Sequence, residues 1–247
     1  MICAVQQLGL VDYAEAIGLQ REKVAARKAD AVPDTLLLLE HPHVYTLGRN
    51  GKREHLLAPA ERLADLGAEV FETDRGGDIT YHGPGQLVGY PILDLARHRR
   101  DVRWYMRSLE EVLIGVAADF GVSAGRVPPA TGVWVGADKL VAMGVHVSRW
   151  VTSHGFAFNV NTDLSYFAAI VPCGLRGKGV TSLERLLGRA VEMDAVAERV
   201  IEHFGRVFEL EMRREVLSFQ SSVVSKTGSS CAVRRPRSAT DHPTSRS

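Results

Sequence analysis

Cysteine is scarce in this 247-residue chain: Cys3, Cys173 and Cys231 are too few and too scattered for a disulfide scaffold or a zinc knuckle, so each is read as a free thiol. An excess of one charge is also lacking. The 30 Lys and Arg stand against 29 Asp and Glu, a formal charge of +1, which removes any global pull toward nucleic acid or a membrane and leaves recognition to a local site. No run approaches the ~18 apolar residues of a membrane span, and Met1 to Leu10 has neither the basic nor the apolar region of a secretion signal, so a cytoplasmic protein is expected. Among nine histidines only His41 and His43 lie close together, with Pro42 between them, and no carboxylate or cysteine completes a ligand spacing; no metal is expected. A nucleotide loop is missing too: the glycine pattern begun at Gly83 and Gly85 meets Val88 where glycine is needed, and no Gly-Lys-Ser/Thr follows.

What is present begins with hydrophobic periodicity. Asp12 to Lys28 reads as an amphipathic helix capped by Asp12, with Tyr13, Ile17 and Val24 inward and Arg21, Lys23, Arg27 and Lys28 on a solvated face. Thr35 to Leu39, a continuous apolar run after Pro33, reads as a strand buried on both faces. Glu40 to Arg49 reads as a loop or strand end beside a cleft. Ala58 to Leu66 is a short helix, Val70 to Thr73 and Gln86 to Leu93 are strands, and Val102 to Phe120 is a helix closed by Gly121. Gly132 to Val135 and Lys139 to Val147 flank a turn at Gly136 to Asp138, and Gly155 to Val160 is a further strand. Met193, Val196, Val200 and Phe204 mark a late helix. With no linker in the first 215 residues, 1–217 is expected to form one domain. From Ser218 onward 12 of 30 residues are Ser or Thr without apolar periodicity, so 218–247 is expected to be a disordered tail and Cys231 incidental.

The chain is organised around Arg75-Gly76-Gly77-Asp78-Ile79-Thr80-Tyr81-His82-Gly83-Pro84-Gly85-Gln86. Four glycines and a proline in twelve residues allow close approach to another molecule, while Arg75, Asp78, Thr80, Tyr81, His82 and Gln86 supply polar groups. The stretch reads as a cleft wall or, more plainly, as a turn-rich connection between strands. Pro172-Cys173-Gly174 presents a thiol on a tight turn, which suits a nucleophile, although a buried apolar role is the commoner fate of cysteine. A thiol with an ordinary pKa near ~8.5 needs a cation or base beside it, and the candidates are His82, His146, His154 and Lys139. Lys139 opens an otherwise apolar strand, so it is either an edge residue pointing outward or an amine pointing into a cleft.

These pieces occur in a telling order: Arg75 to Gln86 with Tyr90-Pro91, Lys139 followed by Gly144, His154-Gly155-Phe156-Ala157-Phe158-Asn159-Val160, Asp163-Leu164, Pro172-Cys173-Gly174 and Thr181-Ser182-Leu183. As an ordered set, from about Leu36 to Leu187, they resemble the octanoyltransferases of protein lipoylation, also called lipoyl(octanoyl) transferases. The resemblance implies a single α/β (α+β) domain of mixed sheets flanked by helices, of the biotin/lipoate-protein-ligase type. It implies transfer of an octanoyl group from octanoyl-acyl carrier protein to a lysine of lipoyl domains, those of 2-oxoacid dehydrogenase complexes and of the glycine cleavage H protein, without a cofactor. Carried over residue by residue, Cys173 would hold the acyl thioester and Lys139 would lower its pKa. Arg75, Gly76, Gly77, Asp78, Ile79, Thr80, Tyr81, His82, Ala142, Met143, Gly144, Gly155, Phe156 and Ala157 would line the acyl site. Phe158 departs from the leucine common in that family, and the tail after Ser218 lies outside the pattern. Val141, Met143 and Phe156 suit an acyl tunnel and suit an ordinary core equally well. Rival readings are an ATP-dependent lipoate or biotin ligase, which would not require Cys173, a cysteine thioesterase, and a non-catalytic acyl or carrier-protein binding module.

Overall fold

The computed structural model describes residues 1–171 and 179–215, and Cys173, Cys231 and the tail expected to be disordered lie outside the described residues. In chain order the elements are β1 (Ile2–Leu10), α1 (Tyr13–Lys28), β2 (Asp34–Glu40), β3 (Val44–Leu47), α2 (Ala60–Asp65), β4 (Glu69–Glu72), β5 (Ile79–His82) and β6 (Gln86–Ile92). They continue with α3 (Val102–Asp119), β7 (Gly125–Val127), β8 (Ala130–Val135), β9 (Asp138–Ser148), β10 (Val151–Asn159), α4 (Leu183–Leu187), α5 (Met193–Phe208) and β11 (Glu211–Arg214). Single 3-10 turns occupy Arg53–His55 and Leu164–Ala169.

Eight strands form one mixed sheet in the order β11-β1-β2-β6-β10-β9-β8-β7, and β4-β3-β5 form a second, smaller one. The apolar run of β2 explains the large sheet's layering. Leu36 and Leu38 pack into the core that α3 and α5 build on one face, while Leu37 and Leu39 join Val88, Tyr90 and Ala157 on the face covered by α1. A strand apolar at every position needs cover on both sides, and here it has it. Helix α3 starts where Asp101 Oδ1 accepts the Trp104 N–H at 3.0 Å, and ends at Gly121, whose φ of +77° a side chain would oppose.

The N-terminal segment, to which the sequence reading assigned no element, forms strand β1, paired in parallel with β2 and with β11. Two local expectations change. Arg27 is not on a solvated face: its Nε donates to Asp34 Oδ1 at 2.7 Å, and the same buried carboxylate takes His98 Nε2 at 2.6 Å and the Asp94 N–H at 3.0 Å. A buried carboxylate demands such partners, and these hold its pKa below the usual range against its own desolvation. Asp12 sits at the start of α1 but makes no side-chain cap. Among the described residues no helix is long and apolar enough to cross a membrane, and no group of three His, Cys, Asp or Glu side chains is arranged to hold a metal ion.

Candidate active site

A cleft opens between the large sheet, where β6, β9 and β10 lie side by side, and the segment Arg75–His82 that leads into and forms β5. One wall is the segment itself. Arg75, almost fully buried, holds it in place: Nη2 donates to Thr46 O at 2.5 Å and to Thr46 Oγ1 at 2.9 Å, and Nη1 donates to its neighbour's carbonyl, Gly76 O, at 3.0 Å. Asp78 ties the wall to the 3-10 turn at Arg53–His55, accepting the N–H groups of Ile79 at 2.8 Å and Lys52 at 3.3 Å and pairing with His55 Nδ1 at 2.6 Å. The tip of the wall is stitched to β9, because the Gly76 N–H donates to Val145 O at 2.9 Å. That approach requires glycine at 144: a Cβ there would lie 2.7 Å from Gly76 O.

The opposite wall comes from β9 and β10, whose register sets Ala142 against Ala157 and Gly144 against Gly155. These small residues leave the space that larger side chains would fill. Lys139 stands at one end. Strand β10 stops pairing with β9 at Val141, and beyond it residues 179–181 take its place: the Lys139 N–H donates to Gly179 O at 2.9 Å and the Thr181 N–H donates to Lys139 O at 3.0 Å. With β8 on its other side, Lys139 is 9% exposed, and its ammonium lies over the Trp134 ring, 4.8 Å from the centroid. It is therefore no outward-pointing edge lysine but part of the cleft lining.

A buried polar chain runs beneath this site. Gln86 Oε1 accepts from His82 Nδ1 at 2.8 Å, Gln86 Nε2 donates to Asn159 Oδ1 at 2.9 Å, and Asn159 Nδ2 donates to Thr181 O at 3.0 Å. It links the β5 wall to the residues that pair with Lys139. Burial, with the charges of His41 and Arg75 added, drives the His82 pKa well below its ordinary value, so the ring is neutral at pH 7. His154 is lowered by burial too, although its Nε2 donates to Asp74 Oδ1 at 2.7 Å. Tyr90 gives its hydroxyl hydrogen to His41 Nε2 at 2.7 Å, since His41 Nδ1 donates to Val11 O at 2.7 Å, and burial lowers His41 to about 4. Tyr90, His82 and His154 thus give the cleft uncharged rings, surroundings that suit an apolar chain.

Of the residues expected at the site, Lys139, Arg75, Gly77, Asp78, Ile79, Thr80, His82, Ala142, Met143, Gly144, Gly155, Phe156 and Ala157 line this one cleft. Gly76 lines an adjoining groove instead. Tyr81 is buried on the other side of β5, hydrogen-bonded to His43 Nδ1 at 2.8 Å and stacked on Tyr166 with ring centroids 4.9 Å apart. Strand alternation separates it from Thr80 and His82. Val141 packs in the core, and His146 lies outside the cleft, accepting from Arg49 Nη2 at 3.0 Å. Tyr13, Tyr90, Asn159, Phe167 and Val180 line the cleft as well, unforeseen as lining residues.

The residues that flank 172–178 on both sides are hydrogen-bonded to neighbouring elements, and Val180 on the far side lines the cleft. The Val171 N–H donates to His55 O at 2.8 Å, Ile170 pairs with Leu56, and on the far side Val180 pairs with Lys139.

Residues 12–205 match the family described as lipoyl protein ligase A/B catalytic domain. An octanoyltransferase of Solibacter usitatus is 58% identical over 210 residues, covering 85% of this chain and 94% of that protein. One from Rubrobacter xylanophilus is 55% identical over 201 residues, covering 81% and 90%. Among solved structures, a lipoate-protein ligase A bound with ATP superposes with a TM-score of 0.72 at 17% identity, over 87% of this chain and 89% of that one. A bipartite lipoate protein ligase studied with its E2 lipoyl domain from Thermoplasma acidophilum gives 0.68 at 15%, over 87% of each chain. At such identities these structures speak for the fold alone: a large mixed sheet flanked by helices.

Proposed function

We propose that this chain, which belongs to the family of lipoyl protein ligase A/B catalytic domains, transfers an octanoyl group from acyl carrier protein to a lysine of a lipoyl domain, through a thioester on Cys173, in the cytoplasm. The observation that carries the reading is Lys139, buried at the head of an apolar cleft and paired through its backbone with the residues that close the Cys173 segment. Relatives named octanoyltransferase at more than half identity give the acyl group its identity.

The chemistry closes on itself. The Cys173 thiolate attacks the donor's thioester carbonyl, a new C–S bond forms, and the carrier's C–S bond breaks. The departing thiolate takes a proton from the Lys139 ammonium, which becomes an amine. In the second half, the acceptor lysine attacks the acyl-Cys173 carbonyl, and a C–N bond replaces the C–S bond. The proton released by the attacking nitrogen passes to Lys139, and Cys173 leaves as thiolate, so the starting pair is restored. An acceptor lysine has an ordinary pKa near ~10.4 and starts mostly as ammonium, so it gives one proton to water before it attacks, and only the proton released on attack goes to Lys139. The neutral His82 and His154 lie along the cleft, where they present no charge to an octanoyl chain.

Incubating the protein with octanoyl-acyl carrier protein in the absence of ATP, followed by intact mass and peptide mapping, tests the reading. The expected product is one octanoyl group on Cys173, discharged by a lipoyl domain. Octanoyl on another residue, or full transfer by Cys173→Ala, would refute it.

A further inference from the structure

The cleft does not end at Lys139. A second groove shares Lys139, Met143, Gly144 and the Gly77-Asp78 peptide with it, and runs outward between Met106 of α3, Ala130 and Thr131 of β8, and Val145 of β9. Two features mark this groove as kept open. Strand β8 pairs with β9 only up to Val141, so among the described residues the rest of β9 on that side meets no strand, and the Gly76 N–H to Val145 O bond closes it only at the far end. Gly76 is the second. Its φ is ordinary, and a Cβ there would meet nothing nearer than Val145 O at 3.4 Å, so the chain's own packing does not require glycine.

We infer that this groove receives the amide-bearing arm on which the donor carries its acyl group, an arm of the pantetheine type, with the thioester held at Lys139 where the groove meets the acyl cleft. The inference rests on the octanoyl-transfer reading above and adds the place where the donor is recognised. Length argues for the arm. From Lys139 to Val145 the groove follows six residues of β9, about 20 Å at ~3.3 Å per residue. An extended pantetheine arm covers roughly 15 Å by bond geometry, whereas the four methylenes of an acceptor lysine cover about a third of the groove. Chemistry argues the same way. An open strand edge offers peptide N–H and C=O groups in register with a guest's amides, as in strand addition, while half-buried Met106, Ala130, Met143 and Val145 suit the short apolar links between those amides. Acyl chain, thioester and arm form one linear molecule, and the two cavities adjoin, with Lys139 among the residues that line both.

The test uses the full chain and two octanoyl thioesters that differ only in the arm: octanoyl-pantetheine, and octanoyl-N-acetylcysteamine, which is cut after the first amide. In the wild type the complete arm is expected to raise kcat/KM for acyl-enzyme formation at least about tenfold. Thr131→Trp, at an exposed position on the groove wall, is expected to remove most of that advantage while loading from the truncated thioester stays within about twofold. The truncated donor doubles as the folding control, and Ala130→Trp is the second blocking variant. Equal losses with both thioesters, or a wild type indifferent to the arm, would overturn the inference and leave the octanoyl-transfer reading standing. A loss confined to discharge of preloaded acyl-enzyme by a lipoyl domain would overturn it in favour of the acceptor. A wild type that loads from neither thioester would refute the underlying reading and this inference together.

Discussion

Gly76 and Gly144 face each other across the joint between the cleft wall and β9, and the structure gives opposite consequences for adding one methyl group to each. At 144 the new Cβ would lie 2.7 Å from Gly76 O and 3.3 Å from Arg75 Cδ. The first of these is backbone, so the wall must move away from β9, and the 2.9 Å bond from the Gly76 N–H to Val145 O lengthens or breaks. Overpacking of this kind costs about 1–3 kcal/mol, and the lost hydrogen bond about 1 kcal/mol more. Gly144→Ala should therefore lose about 2–4 kcal/mol, a fall in Tm of roughly 5–15 °C for a domain of this size. At 76 the new Cβ meets only Val145 O, at the 3.4 Å of ordinary contact. A compatible Gly→Ala change narrows the unfolded ensemble and stabilises by about 0.4–1 kcal/mol. Gly76→Ala should thus melt no earlier than wild type, yet load octanoyl severalfold more slowly because it narrows the groove. Differential scanning calorimetry with single-turnover loading on the same preparations separates the two effects. If Gly144→Ala is as stable as Gly76→Ala, the close-approach argument fails, and if Gly76→Ala loads normally, no space is reserved there for substrate. Gly77 differs from both, because its φ of +88° makes any side chain strained and mixes stability with function.

Other expectations are shorter. Lys139→Arg should keep a cation beside the thiol but cannot act as a base, so it should form the acyl-enzyme better than it passes octanoyl on, whereas Lys139→Ala should lose both steps; equal impairment of the two half-reactions in the Arg variant would count against a base role. His41, with a folded pKa of about 4 against ~6.5 unfolded, makes unfolded chains bind more protons between those values, so stability should be full above pH 6.5 and fall by about 3 kcal/mol as pH drops to 4. Urea midpoints should trace that slope, and His41→Gln should flatten it; an unchanged slope would remove His41 as its source. Deleting 218–247 should leave transfer within about twofold, since that segment has no core-forming pattern, and a large fall in kcat in a well-folded truncation would show that it has a role.

Hydrophobic period made the central elements legible. Leu36 to Leu39 announced a strand covered on both faces, and the stripe of Tyr105, Leu109, Val112 and Val116 announced α3. The outer strands carried no such signal: β1 is stabilised by register with β11, pairing Ile2 with Glu211, and contacts so distant in sequence leave no local trace. Arg27 looked like surface because charged residues surround it in sequence, while its partner Asp34 sits beyond the helix. At the site, the resemblance named a whole stretch where the strand's alternation divides it, sending Tyr81 to hold Tyr166 and leaving Thr80 and His82 in the cleft. Reading Gln86 to Leu93 by the same alternation would have placed Val88 and Tyr90 on one face and so found Tyr90. No local pattern could have brought in Tyr13 or Phe167, which reach the cleft from elements that sequence does not orient.

Lys139 is where the two kinds of reading had to meet. From sequence it was equally an edge lysine or a cleft amine, and the distinction lies in what flanks its strand. At its position β9 has β8 on one side and Val180 on the other, so no edge is left for it to occupy. Removing an ammonium from water costs roughly several kcal/mol, and the Trp134 ring beneath the amine offsets about 0.5–2 kcal/mol of that. The burial of this amine in the cleft, with residues 179–181 paired to its backbone, is the feature that the proposed transfer uses. Sequence nominated both the cysteine and the lysine, and geometry adds where the lysine lies; the proposed acyl transfer requires both.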